Sequence, residues 1–149
     1  MYSRRPGFSA IELMMVVVIL GVLSVIAMPK VSELSRSASL HSATRTVATT
    51  LTQARAAAIQ NGRTTRFIRN GSTILVVLDR PGGVDTVATP SDLYAQHGVA
   101  LSGANVIQFN PRGFAEGSAR NDPIVVANSA KSQSVCIKGL SKIAIQDCA

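Results

Sequence analysis

The chain has 149 residues, enough for one modest domain plus a membrane segment and too few for a two-domain enzyme. Lys and Arg total 15 against 8 Asp and Glu, a formal charge of +7, and apolar types make up 46% with aromatics at only 4%. That mixture suggests a concentrated hydrophobic segment rather than a rich aromatic core, and the basic balance admits anionic lipid, nucleic acid or plain solubility, because net charge speaks to partners and not to fold.

Arg4 and Arg5 stand just ahead of Pro6 and Gly7, and an almost uncharged run then extends from Phe8 to Met28, before Pro29 and Lys30. A bilayer core of about 30 Å takes roughly 20 helical residues, so the run is long enough to span it. The flanking arginines put the N-terminus in the cytoplasm and everything after Lys30 outside it. A secretory signal peptide also joins basic residues to an apolar stretch, but its apolar part is usually about 7 to 15 residues, and no small-x-small site followed by a clear change of composition lies beyond this longer run. Glu12 opposes that reading too. A carboxylate costs on the order of 2.5 to 3.5 kcal/mol at the bilayer centre and less near an interface, so it calls for a partner and a purpose.

Gly7 followed by Phe8, Ser9, Ala10, Ile11, Glu12 and Leu13 resembles the leader junction of type IV prepilins and type II secretion pseudopilins. The resemblance implies that a prepilin peptidase cuts between Gly7 and Phe8, leaves the apolar helix in place and methylates the new N-terminus at Phe8. It makes Glu12 the fifth residue of the mature chain. There a carboxylate can pair with the new amine of a neighbouring subunit, so that two costly charges satisfy one another inside an apolar bundle and select axial register. Gly21 and Pro29 match the family's habit of placing helix-weakening residues in this segment. The implied partners are other pilins through the N-terminal helix, the peptidase, an inner-membrane assembly platform and the membrane itself.

Beyond Pro29 the helical pattern continues, with Val31, Leu34, Leu40, Ala43, Val47, Leu51, Ala54 and Ala58 recurring at intervals of three or four. Gly62 after Asn61 is the expected stop. Strand signals follow: Thr65 to Arg69 and Thr73 to Asp79 flank the turn Asn70-Gly71-Ser72. Arg80-Pro81-Gly82-Gly83 ends the second strand, and the stretch through Asp92 reads as an irregular loop. Val106 to Phe109 is a short strand ended by Asn110-Pro111-Arg112-Gly113, Ile124 to Ala127 is another, and Ser134 to Lys138 with Lys142 to Gln146 form a terminal hairpin turning at Gly139.

The expected fold class is therefore α+β: a long N-terminal transmembrane and amphipathic helix packed against a mainly antiparallel β-sheet head, as in pilins. The divisions are a leader at 1–7, a transmembrane and assembly helix at 8–28, an amphipathic helix continuing into the head at 29–62, and a β-rich periplasmic head at 63–149. The Ala-rich helix end around Gln53 to Gln60, the hairpin after it and the turn from Phe109 to Gly113 resemble the branch shared by type II secretion pseudopilin H and the FimT and FimU minor pilins.

Cys136 and Cys148 flank the last hairpin, and in the periplasm a disulfide between them is the natural reading. With a tight turn at Gly139 and Leu140, Cys136 would face Ile143, leaving Cys148 five residues farther on. Two cysteines and the distant His41 and His97 make no recognisable metal-ligand set, so no metal and no cofactor is expected. No nucleophile motif and no phosphate-cradling loop is present in the sequence, which points away from an enzyme.

Nucleic acid is the rival partner. FimT-like minor pilins include DNA-binding members with a basic Gly-Arg-x-Arg element near the C-terminus. The nearest match here, Gly139-Leu140-Ser141-Lys142, keeps one of its cations, with Lys138 beside it. Phosphate affinity grows with the number of cations engaged, so this departure ranks DNA binding through Lys138 and Lys142 below assembly. Arg63, Arg66 and Arg69 form a second basic cluster, read as a charged sheet edge.

The expected function is a non-enzymatic pseudopilin or minor pilin of the bacterial inner membrane, single-pass, that enters a type II secretion pseudopilus or type IV pilus at or near its tip. The alternatives are a FimT-like DNA-binding subunit of natural transformation and a plain single-span anchor carrying a β-rich domain.

Overall fold

Helix α1 spans Ala10–Asn61 in the computed structural model of the chain, which describes residues 7–117, 122–138 and 141–145, the side chains of 26–29 excepted. Two compact units divide the chain at Ser35 and Arg36, and α1 contributes to both.

In the first unit the helix begins where Ser9 caps it. The Ser9 hydroxyl accepts from the Glu12 amide at 3.3 Å, and its carbonyl accepts from the amides of Glu12 and Leu13 at 3.1 and 3.2 Å, which occupies donors that no earlier helical turn can meet. The helical backbone continues through Gly21 and Pro29.

In the second unit the predicted stripe is the core. Leu40, Ala43, Val47, Leu51, Ala54 and Ala58 are each at most 1% exposed, which is what a 3.6-residue period turned toward one neighbour requires. Val31 and Leu34, expected on the same stripe, are instead exposed, so burial begins only at Leu40. The many alanines let β-strands approach the helix axis closely. The helix closes at Gly62, φ +60°, with the Arg63 amide donating to the Ala58 carbonyl at 3.2 Å.

Among the described residues nine strands follow in two antiparallel sheets. The first holds β1 (Thr65–Asn70), β2 (Thr73–Arg80), β3 (Gly83–Asp92), β5 (Val106–Phe109) and β6 (Ala115–Glu116) in the order β3-β2-β1-β5-β6; the second holds β4 (Ala100–Ser102), β7 (Ile124–Ala127), β8 (Ser132–Lys138) and β9 (Lys142–Ile145) in the order β4-β7-β8-β9. Helix α2 (Leu93–His97) precedes β4. Phe67, Ile74, Val76, Ile107 and Phe109 from the first sheet and Leu101, Ile124, Val126, Val135 and Ile137 from the second join the α1 stripe in one cluster.

Two expectations are corrected. The segment from Gly83 to Asp92 is strand β3, not an irregular loop. It is an edge strand paired only with β2 and exposed along most of its length, so it carries no apolar alternation, and Pro90 and two register shifts are tolerated at an edge. In the terminal hairpin Lys138 pairs with Lys142, and Cys136 therefore faces Ala144 rather than Ile143. The loop between them has three residues rather than two, and Ser141, φ +66°, takes the left-handed conformation that a three-residue hairpin places last.

Candidate functional site

The N-terminal helix presents an apolar surface with no covering in its own unit. Phe8 is 84% exposed, and every large apolar side chain from Ile11 to Val25 is at least 50% exposed. A helix apolar all round is stable only inside lipid or a bundle of similar helices. Glu12 sits in its first turn, exposed, and the helix N-terminus favours a negative charge there. Among the described residues no single helix is long and apolar enough to cross a membrane; the segments Ala10–Val25 and Lys30–Asn61 together meet that length and composition. Gly7 and Phe8 precede the helix, with open space around Gly7. Arg4, Arg5 and the rest of the leader before Gly7 lie outside the described residues, as does the Pro29 side chain.

The head's basic cluster is dispersed into separate internal contacts. Arg66 on β1 donates from Nε and Nη2 to one carboxylate oxygen of Asp79 on β2, at 3.0 and 2.5 Å. Arg69, at the other end of β1, donates to the carbonyls of Gly71 at 3.2 Å, Leu101 at 3.3 Å, Gly103 at 2.7 Å and Ala104 at 3.2 Å, and to the Asn105 side chain. Its planar fork thus organises the connection from β4 in one sheet to β5 in the other. Arg63 is exposed after the helix. The reading of these three as one charged edge is corrected: two of them are committed to internal partners. Composition could flag the residues, but apart from Gly71 their partners lie 13 and more than 30 positions away in sequence, where no local signal reaches.

Arg55, on the half-buried flank of α1, donates from Nη1 to the Ser141 carbonyl at 3.0 Å. The Ser141 hydroxyl accepts from the Ala115 amide at 2.7 Å. Sequence reasoning missed this junction, because Ser141 was read only as a member of a basic element. Lys138 and Lys142 are direct partners across β8 and β9, Lys138 half-buried and Lys142 exposed, while Gly139 and Leu140 lie outside the described residues. Cys136 is buried on β8 and Cys148 lies outside the described residues. His41 on α1 meets Gln133 on β8, its Nδ1 3.0 Å from the Gln133 Nε2, while His97 belongs to the last turn of α2. Among the described residues no group of three or more His, Cys, Asp and Glu side chains could hold a metal ion.

Among the described residues the arrangement assembles no catalytic group. It combines an uncovered apolar helix with a braced two-sheet head. Two crystal forms of the type IV minor pilin FimU of Pseudomonas aeruginosa strain PAO1 are similar to it. One superposes with a TM-score of 0.59 at 13% identity, covering 77% of this chain and 93% of FimU. The other gives 0.55 at 14%, covering 73% and 94%. At such identities the likeness is one of fold. No curated protein sequence matches. The family model described as type II transport protein GspH matches residues 43–141, which take in most of the buried half of α1 and every described strand but β9. The chain therefore belongs to the type II transport protein GspH family.

Proposed function

We propose that the protein is a pseudopilin or minor pilin that acts by assembly and not by catalysis. A prepilin peptidase removes residues 1–7, Phe8 becomes the methylated N-terminus, and the helix of residues 8–28 passes from the inner membrane, where the head is periplasmic, into a type II secretion pseudopilus or type IV pilus at or near its tip. Glu12 makes the register contact with the new amine of a neighbour, and Gly21 and Pro29 are the points at which the helix yields on packing. Cys136 and Cys148 pair to fasten the last hairpin. The observation that supports this reading is the apolar helix, uncovered over its whole circumference, with one carboxylate in its first turn. The decisive experiment is the intact mass and N-terminal sequence of the protein recovered from membranes of cells carrying a prepilin peptidase. An N-methylated Phe8 start supports the proposal. An intact Met1, or a cut beyond Met28, returns the chain to a plain anchor or an exported domain.

One observation favours the second reading, binding of DNA. Lys138 and Lys142 stand opposite each other on the β8–β9 ladder, which places two cations side by side on one hairpin. Titration of the full chain in detergent with duplex DNA at low and moderate salt tests it: salt-sensitive binding lost in Lys138→Gln/Lys142→Gln supports uptake, and no binding at low salt removes it.

A further inference from the structure

Where α1 ends, the Asp79 amide donates to the Thr64 carbonyl at 2.9 Å, and the carboxylates there are matched from within: Asp79 by Arg66, and Asp85 by Arg80 at 2.6 Å. The opposite end of the head lies about 25 residues earlier, about 37 Å along a helix. There Asn128 donates from Nδ2 to the Arg36 carbonyl at 2.9 Å. The Asn128 side-chain oxygen accepts from the amides of Ala130 and Lys131 at 3.0 and 2.8 Å, and its amide donates to the Lys131 carbonyl at 2.9 Å. The turn between β7 and β8 is thereby fastened to the first turn of the head helix, which carries Lys131 to the side of Arg36. Both side chains are exposed, and neither has an ion-pair partner among the described residues. Glu33, the nearest carboxylate in sequence, forms no ion pair there either.

This cationic end is the one joined to the apolar run. Eight residues connect Met28 to Arg36, so Arg36 lies within about 28 Å of the run's end even for fully extended chain. We infer that Arg36 and Lys131, pinned together by Asn128, form a contact surface for anionic phospholipid headgroups. The inference rests on the reading of residues 8–28 as a membrane span. A hydrogen-bonded turn holds the two cations without the ordering cost that a flexible tail would carry, and lipid phosphates supply the counter-charge that no described carboxylate provides to either cation. The contact orients the head on the bilayer before assembly and is surrendered when the subunit enters a filament.

The chain contains no Trp, so Ser129→Trp, in the exposed turn beside Lys131, is a sole tryptophan reporter that can be excited selectively over the two tyrosines. The full chain carrying it is placed in nanodiscs of phosphatidylcholine, with or without phosphatidylglycerol, that contain a headgroup-attached quencher. Quenching is expected to be stronger in the anionic discs and to fall to the zwitterionic level in Arg36→Gln/Lys131→Gln. About 0.5 M salt should do the same, since screening then reaches only a few ångströms. Each cation removed should weaken the contact about fivefold. Equal quenching in both lipids, or an anionic preference that the double variant and salt leave unchanged, overturns the inference. Equal quenching together with poorer filament incorporation of the double variant overturns it in favour of an acidic protein partner. A chain that enters neither kind of disc defeats the membrane reading instead.

Discussion

Arg55 and Ser141, 86 positions apart, are joined by a 3.0 Å hydrogen bond from the guanidinium to a buried carbonyl. Because the same serine accepts from the Ala115 amide, one residue ties α1, the β6 edge of the first sheet and the terminal hairpin of the second. Ser141 holds φ +66° without being glycine, a conformation that side chains disfavour and that these two bonds hold in place.

Replacing Arg55 with Met keeps most of the stem's packing and removes the donor. A charge-assisted bond of this kind contributes about 1.5 to 3 kcal/mol, and roughly 4 to 8 °C of melting temperature accompanies each kcal/mol in a domain of about this size. Thermal unfolding by circular dichroism should record a loss in that range. An unchanged midpoint would mean that the junction contributes nothing.

Gly113 sits in the turn that follows β5, at φ +79°, and a Cβ placed there would meet Ile59 Cδ1 at 2.6 Å and Arg55 Nε at 3.3 Å. Gly113→Ala should cost about 2 to 4 kcal/mol, combining overpacking with left-handed strain. Adding Ile59→Ala should recover the overpacking share and leave the backbone share. Strictly additive losses in the double variant would refute the contact.

Arg69 gathers four carbonyls and one side-chain oxygen, so Arg69→Lys retains the charge and loses the fork. Stability should drop by about 1.5 to 3 kcal/mol. Hydrogen exchange should quicken first in residues 101–105, because the connection between the two sheets opens before the core does. Exchange that rises uniformly over the head would argue against a local clamp.

Glu12→Ala should still insert into the membrane and still be cut, yet fail to enter filaments, since the register contact is gone while the apolar run is intact. Immunoblots of sheared filaments against membrane fractions measure this directly. Normal incorporation would remove Glu12 from the assembly mechanism.

Cys148→Ser should lower the stability of the oxidised protein by about 2 to 3 kcal/mol, the entropy of a short closed loop, and leave the reduced protein unchanged. Equal melting of both forms with and without reductant would show that the pair is not joined.

Much of the architecture was readable along the chain because its signals are periodic and local. The stripe from Leu40 to Ala58 repeats every three or four residues, and the stop at Gly62 and the hairpin around Gly71 each declare themselves within a dozen residues. Helix α2 carries cap signals of the same local kind: Asp92 accepts from the amides of Tyr94 and Ala95, and Gly98 closes the helix. Strand β3 was not readable, because an edge strand exposed on most of its faces needs no alternation. The register at Cys136 turned on one extra loop residue, and a one-residue change moves every partner along the ladder.

By itself the sequence determined the apolar N-terminal run, the carboxylate within it, and the α+β order of a long helix followed by strands, since composition and period act over neighbouring residues. Only the tertiary structure decided that there are two sheets and that Arg55, Arg66 and Arg69 are structural rather than free cations. It alone brought Lys131 to Arg36. Those outcomes depend on which distant carbonyls and carboxylates the folded chain carries to each guanidinium, and a hydrogen bond formed over 86 positions leaves no trace in the residues beside it.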